Sequence, residues 1–310
     1  MDRRQWISKA GASVAVGMVG ASAATAVQAA SRRAVARGAD AASGLAVEAV
    51  QMPAWTGADT AREPLAPGDV VSRAQSVHTD VGAGLVLRLP EGSLIRLGEK
   101  TQLGVQRLEV DGSTGVTAVR SRLQLLEGFF RFATSSVSKV VGTRDVEITL
   151  RTATVGIRGT DLWAMTDTVH DAACLFEGRV DVATATQGTL ALDKPTAFWA
   201  NFFDKAPQPV GVATPDELAR FLASTELKPG RGVAIVGGAW RVLALTTDRS
   251  RDALELAGRL RAAGYPARLR GIGSGRNEVV IEQLATQADA QAVLERIASV
   301  SGVQGRVARA

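Results

Sequence analysis

Cysteine is almost absent from this 310-residue chain: Cys174 stands alone, which excludes an intrachain disulfide framework and any zinc centre built from several thiolates. Histidine is nearly as scarce, and His78 and His170 leave no multi-histidine metal site beyond two ligands. No run of roughly 20 strongly apolar residues occurs, so no stable membrane span is expected once the N-terminal segment is removed. Paired carboxylates, a serine–histidine arrangement and a phosphate cradle are also missing. Gly271-Ile272-Gly273-Ser274-Gly275 lacks the following helix and basic residue that a cradle needs. The gathering of Asp161, Asp167, His170, Asp171 and Cys174 reads as the polar turn of a hairpin beside an inert buried thiol. The expectation is a protein that is not an enzyme and holds neither metal nor cofactor.

What is present is ordinary globular composition, 46% hydrophobic and 22% charged, with length for about two domains. The net charge of +5 at first points to nucleic acid. Divided along the chain it does not. Residues 1–29 carry three basic residues and one acid, residues 30–238 carry 22 and 23, and residues 239–310 carry eleven arginines against seven acids.

Arg3, Arg4 and Lys9 precede an uncharged run rich in Ala, Gly and Ser, with Val27 and Ala29 placed for cleavage before Ala30. Residues 1–29 therefore read as a signal peptide, and Arg3-Arg4-Gln5-Trp6-Ile7 resembles a twin-arginine export signal. Residues 30–44 are expected to be a flexible segment of a mature periplasmic, envelope-associated protein, where a lone cysteine is compatible with the compartment and DNA is not the expected partner.

From 45 to 200 the pattern changes to short alternating runs bounded by turn signals. Gly84–Leu89, Ser93–Leu97, Phe129–Phe132, Val146–Leu150 and Val180–Val182 read as strands, with Pro67-Gly68-Asp69, Pro90-Glu91-Gly92 and Glu177-Gly178 as turns. Such spacing without long helices predicts an all-β antiparallel sandwich or roll. Gly156 and Gly159 permit a bend, and Arg158 between them either locks a sheet corner through a carboxylate such as Asp161 or Glu177 or binds a ligand. Trp163 is expected in the core.

The order of motifs resembles the FecR domain, a periplasmic module of bacterial surface-signalling regulators. The motifs are Leu65-Ala66-Pro67-Gly68-Asp69-Val70, the run Pro90 to Gly98, Glu127-Gly128-Phe129-Phe130, the run Val155 to Trp163 and Phe176-Glu177-Gly178-Arg179-Val180. The run Val155 to Trp163 is carried by Arg158, Gly159, Thr160, Asp161 and Trp163. The resemblance implies a scaffold or sensor that binds an envelope protein partner. Regulatory relatives pass a signal through a membrane helix to a sigma-factor-binding segment, and neither feature is evident here.

Residues 201–238 read as a linker with a short helix, begun by a capping box of Thr214 and Glu217. Residues 239–310 then follow a strand-helix-strand-strand-helix-strand order, predicting an α+β ferredoxin-like (split βαβ) sheet with both helices on one face. Trp240-Arg241-Val242, the run Ser250 to Ala263 and Ala263-Gly264-Tyr265-Pro266-Ala267 resemble the SPOR domain, which implies binding to peptidoglycan glycan strands stripped of stem peptides. Leu243 and Leu245 depart from the family's usual glutamine and glycine. Alternation places Val242, Ala244, Leu269, Val279 and Ile281 toward the helices, and Arg241, Leu243, Leu245, Arg268, Arg270, Val280 and Arg306 on the open face. Guanidinium groups among aliphatic side chains suit a partly anionic sugar chain. The absence of stacking aromatics there disfavours RNA.

Overall fold

The computed structural model describes residues 44–111, 118–134, 144–157 and 160–310. The expected signal peptide with Arg3 and Arg4, nearly all of segment 30–44, and Arg158 with Gly159 lie outside the described residues. The body begins with β1 (Leu45–Gln51), β2 (Ala54–Thr56), β3 (Glu63–Pro64), β4 (Val70–Val71), β5 (Ser76–Thr79), β6 (Gly84–Arg88) and β7 (Leu94–Leu97). It continues through β8 (Gln102–Asp111), β9 (Ala118–Ala133), β10 (Arg144–Thr149), β11 (Ala153–Ile157), β12 (Asp161–Thr166) and β13 (His170–Glu177). The last strands of the body are β14 (Val180–Thr184), β15 (Gly188–Leu192) and β16 (Ala197–Phe202).

These strands make two sheets that share β9. One runs β1-β6-β7-β9-β12-β13-β16, the other β2-β5-β8-β9-β10-β11-β14-β15, and every pairing is antiparallel except β9 with β10. The mostly antiparallel β architecture expected from the alternating runs is thus present. A single strand serves both sheets because it turns at Gly128, whose φ of +96° is open to glycine and strained for other residues. Before the turn β9 pairs with β8 and β10; after it, with β7 and β12.

Alternation decides which side chains fill the space between the sheets. Phe130 and Phe132 point inward with Ile95, Leu97, Leu162 and Ala164, and meet Val77, Leu103, Leu123, Ile148 and Val155 from the second sheet in one contiguous core. Burying each such side chain is worth about 1.5–3 kcal/mol. A buried carboxylate ties the sheets at one end. Asp171 accepts from the Thr166 hydroxyl (2.5 Å), the Thr152 amide (2.6 Å) and the Thr152 hydroxyl (2.7 Å), and the Asn201 amide donates to the same hydroxyl (3.0 Å).

The stretch expected to connect two domains is folded onto both. It holds β17 (Gly211–Val212), α1 (Pro215–Thr225) and β18 (Val233–Ile235), and the Thr214/Glu217 capping box is formed. Beyond it come β19 (Trp240–Thr247), α2 (Ser250–Ala262), β20 (Arg268–Gly271), β21 (Asn277–Leu284), α3 (Gln287–Ser301) and β22 (Arg306–Arg309). Their sheet is antiparallel in the order β22-β19-β21-β20. Ala253, Leu256, Ala257 and Leu260 of α2 and Ala290, Val293 and Ile297 of α3 pack into the core with Val242, Ala244, Val279 and Ile281. α2 stops where Gly264 adopts a φ of +85°; a methyl there would sit 3.0 Å from Pro53 and 3.1 Å from the Trp55 ring.

β18 joins the two parts. It pairs antiparallel with β1 through Ala49↔Ile235 to Gln51↔Val233, and with β21 through Ala234↔Leu284. Asp289, buried in the first turn of α3, accepts from the Gly232 and Val233 amides at 3.1 and 2.9 Å. Arg296, two turns on, donates to the Met52 carbonyl at 2.6 Å and the Arg231 carbonyl at 3.0 Å. The described residues from 44 onward accordingly form one compact unit.

Candidate functional site

The outer face of the first sheet carries a row of cross-strand neighbours. Arg96 lies opposite Arg131, Arg131 opposite Trp163, Trp163 opposite Cys174, and Cys174 opposite Phe198. Since alternate residues of these strands fill the inner core, this row is a second surface, and it organises its own apolar cluster. Trp163, Ala172 and Cys174 pack there with Phe129, Met165, Phe176, Phe198 and Ala200 from the sheet. Trp163 is buried as expected, but on this outer side and separate from the main core.

α1 covers the row. Phe221 stacks on Trp163 with ring centroids 4.0 Å apart and on Phe198 at 5.5 Å, and the Trp163 indole N–H donates to the Ser224 hydroxyl at 2.9 Å. Gly98 lets the helix end come this close, because a Cβ there would collide with the Ser224 carbonyl oxygen.

Two arginines directly opposite one another repel, so the polar end of the row needs carboxylates. Asp161 grips Arg131 in a bidentate contact, Oδ1 to Nε at 2.9 Å and Oδ2 to Nη2 at 2.7 Å. Glu226, just past α1, bridges both arginines: Oε1 lies 3.2 Å from Arg131 and Oε2 lies 3.3 Å from Arg96. The hydrogen bonds it donates to Asp161 hold the Arg131 guanidinium above its ordinary pKa against the opposing effect of burial. Arg158, expected to reach a carboxylate such as Asp161 or Glu177, lies outside the described residues; among the described residues the arginine that grips Asp161 is Arg131, which alternation in Phe129-Phe130-Arg131-Phe132 aims outward toward β12. Thr160 is buried, and its carbonyl accepts from the Thr134 amide and hydroxyl, both at 3.1 Å.

The reactive-looking residues nearby are structural. Asp167 accepts from the Val169 and His170 amides at 2.7 Å and closes the β12–β13 turn. His170 stacks on Phe202 at 4.9 Å. Burial pushes the Cys174 thiol up to about 12, where it is not a nucleophile at neutral pH. Among the described residues, no three His, Cys, Asp or Glu side chains gather as a metal site, and no helix is long and apolar enough to cross a membrane.

On the C-terminal sheet the structure revises the expected open face. Arg268, Val280, Leu243 and Arg306 form a continuous cross-strand row, two arginines flanking two aliphatic residues. Val280 is 0% and Leu243 6% exposed, so the arginines are the accessible part. Leu245 is not on this face. A bulge at Ala244 brings Leu245 opposite Val279, on the helix side, where it packs against the core and α2. Leu269, assigned to the helix side, is 38% exposed because β20 is the sheet edge. A second irregularity, at Gln283 with φ +64°, shifts pairing between Trp240 and Val242; Arg241 between them is half-buried with its Nε shielded from solvent. Arg270 is tied to Glu282 at 3.2 Å. Glu278 and Glu282 share the parity of Val280, so acids interleave with the arginines, a feature the arginine count hid.

Residues 75–181, from β5 into β14, match the profile of the FecR protein family. The matched stretch contains Arg96, Arg131, Asp161 and Trp163 and leaves out α1 and everything after it. Two crystal structures of a "putative anti-sigma factor" from Parabacteroides distasonis ATCC 8503, at 1.65 and 2.50 Å, are similar at 14% identity over 74% of this chain and 93% of theirs. Their TM-score of 0.37 is too low to support an argument from the likeness. No curated protein matches the sequence.

Proposed function

We propose that this chain is a non-enzymatic envelope protein of the FecR regulatory kind, exported to the periplasm, whose β body acts by contact with a partner protein. The observation that carries the reading is the FecR match over residues 75–181, which spans an outer face bearing Trp163, Arg131 and Arg96, the side chains that dominate protein interfaces. Cross-linking of the full mature chain in intact cells tests it: a specific envelope protein attached through residues near Trp163 is expected, and attachment that is unchanged by Arg131→Glu would refute the site.

The C-terminal module, by its likeness to SPOR domains, is proposed to address the protein to peptidoglycan glycan strands. Its ligand-facing groups are Arg268 and Arg306 at the two ends of the row through Val280 and Leu243. Sedimentation with purified sacculi is expected to pellet the protein more strongly after amidase treatment, and Arg268→Glu with Arg306→Glu to abolish the gain. Absence from both pellets sinks the glycan half of the proposal and leaves the partner half standing. Clearing of a sacculus gel by the purified protein would overturn the non-enzymatic reading.

A further inference from the structure

We propose that the outer face of the first sheet is a docking groove for an amphipathic helix of a partner protein, and that α1 is its cis occupant, displaced when the partner binds. The groove is complete without α1. Phe129, Met165, Phe176 and Phe198 surround Trp163, and Arg96 and Arg131 close one end, all from the sheet. Phe129, Met165, Phe176, Trp163 and both arginines lie within the FecR match, and α1 lies outside the matched stretch.

α1 also has the character of a replaceable cover. Of its residues only Thr225 is buried; Leu218 and Phe221 stay half-exposed while touching the face. At 11 residues, a helix of this length is marginal alone. Its contacts specify the competitor's chemistry: an aliphatic and an aromatic residue three positions apart, as Leu218 and Phe221 are, then a carboxylate about five residues on, as Glu226 is. The carboxylate is needed because, without Glu226, Arg96 and Arg131 oppose each other with Asp161 alone gripping Arg131.

The inference rests on the reading that the body works by protein contact, and its test needs no envelope partner, so the two fail separately. A fluorescent peptide copying residues 213–228 is titrated against the full mature chain by anisotropy. Phe221→Asp in the chain, which ejects the cis helix, is expected to tighten peptide binding at least tenfold over wild type. A peptide carrying Glu226→Lys is expected to lose most of that binding. A folded Phe221→Asp chain that binds the peptide no better than wild type overturns the proposal. Should that variant not fold, amide exchange on the wild type decides: α1 is expected to exchange at least tenfold faster than β9 and β12, and exchange as slow as those strands overturns it. Dimers formed by exchange of α1 between two copies of this chain would assign the groove to self-association and overturn the partner helix.

Discussion

Replacing Asp289 with alanine should loosen the C-terminal half of the molecule, and the size of the effect follows from three hydrogen bonds. The carboxylate is fully buried and accepts from the Gly232 amide, the Val233 amide and the Thr286 hydroxyl, the last at 2.6 Å. It also lies in the first turn of α3, where the helix dipole favours a negative charge. Alanine orphans two backbone donors in a buried position. Each orphan costs roughly 1–3 kcal/mol, partly offset because no carboxylate remains to be desolvated. A net loss of about 3 kcal/mol is expected, roughly a hundredfold in the folding equilibrium. For a chain of this size that lowers the melting temperature by about 6–10 °C. Asp289→Asn retains an acceptor for the amides and a donor for the Thr286 hydroxyl, so about 1 kcal/mol should be lost. Urea denaturation gives the totals, and amide exchange at Gly232, Val233 and Ala234 shows whether β18 is where the loss appears. An alanine variant within about 0.5 kcal/mol of wild type, with those amides still protected, would refute the claim that Asp289 holds the module to the body.

Three further outcomes are expected. Gly128→Ala forces a side chain into a φ of +96° and sets its Cβ 2.7 Å from the Lys100 carbonyl oxygen, so thermal melts should show a loss of about 2–4 kcal/mol. Cys174 should give no reaction with a disulfide reagent at pH 8 in the native protein and one equivalent after unfolding. Because burial raises its pKa from the ordinary 9 to about 12, the protonated thiol's contribution to stability is full below pH 9 and is lost as pH rises toward 12. Leu245→Ala should cost about 1–2 kcal/mol and leave sacculus sedimentation unchanged, whereas Arg306→Glu should weaken sedimentation with little change in stability.

What the sequence showed plainly was local. Alternation of period two marked β7 and the Phe129–Phe132 half of β9, where half-buried and buried residues alternate, while β6 and β21 stood out as short apolar runs with consecutive residues buried. The Thr214/Glu217 box and the stop at Gly264 were legible because a cap is made within four residues. The candidate site was legible only in part. Trp163 and Asp161 stand in a recognisable motif, but their partners Phe221 and Arg131 lie 58 and 30 residues away, and no local pattern ties them. The Leu245 error has a similar cause. Whether a strand keeps its alternation depends on what its neighbours do, and the bulge at Ala244 inverts every side chain beyond it. A proline- and glycine-rich stretch likewise reads as a linker, although three residues within it, Val233–Ile235, complete a sheet on both sides.

The two surfaces proposed to bind are held on one frame, and this limits how they can communicate. A ligand shifts an equilibrium only by its differential affinity for two states, and β18, Asp289 and Arg296 leave the C-terminal sheet with a fixed seat on the body. On the proposed glycan contact at Arg268 and Arg306, binding would position the protein without selecting a second arrangement of this frame. The groove differs, because its cover is attached by a short lead. Between α1 and β18 the chain is pinned at Lys228, whose amide donates to the Gln51 side chain at 2.6 Å, while the other end of that side chain donates to the Gly82 carbonyl. On the displacement proposed above, α1 would leave Trp163 between two anchors, β17 paired with β16 on one side and the Gln51 pin on the other, with β18 and the sheet beyond it undisturbed. On these proposals, address and partner contact would be separate functions in one chain, and the part that changes state would be the helix next to the Gln51 pin.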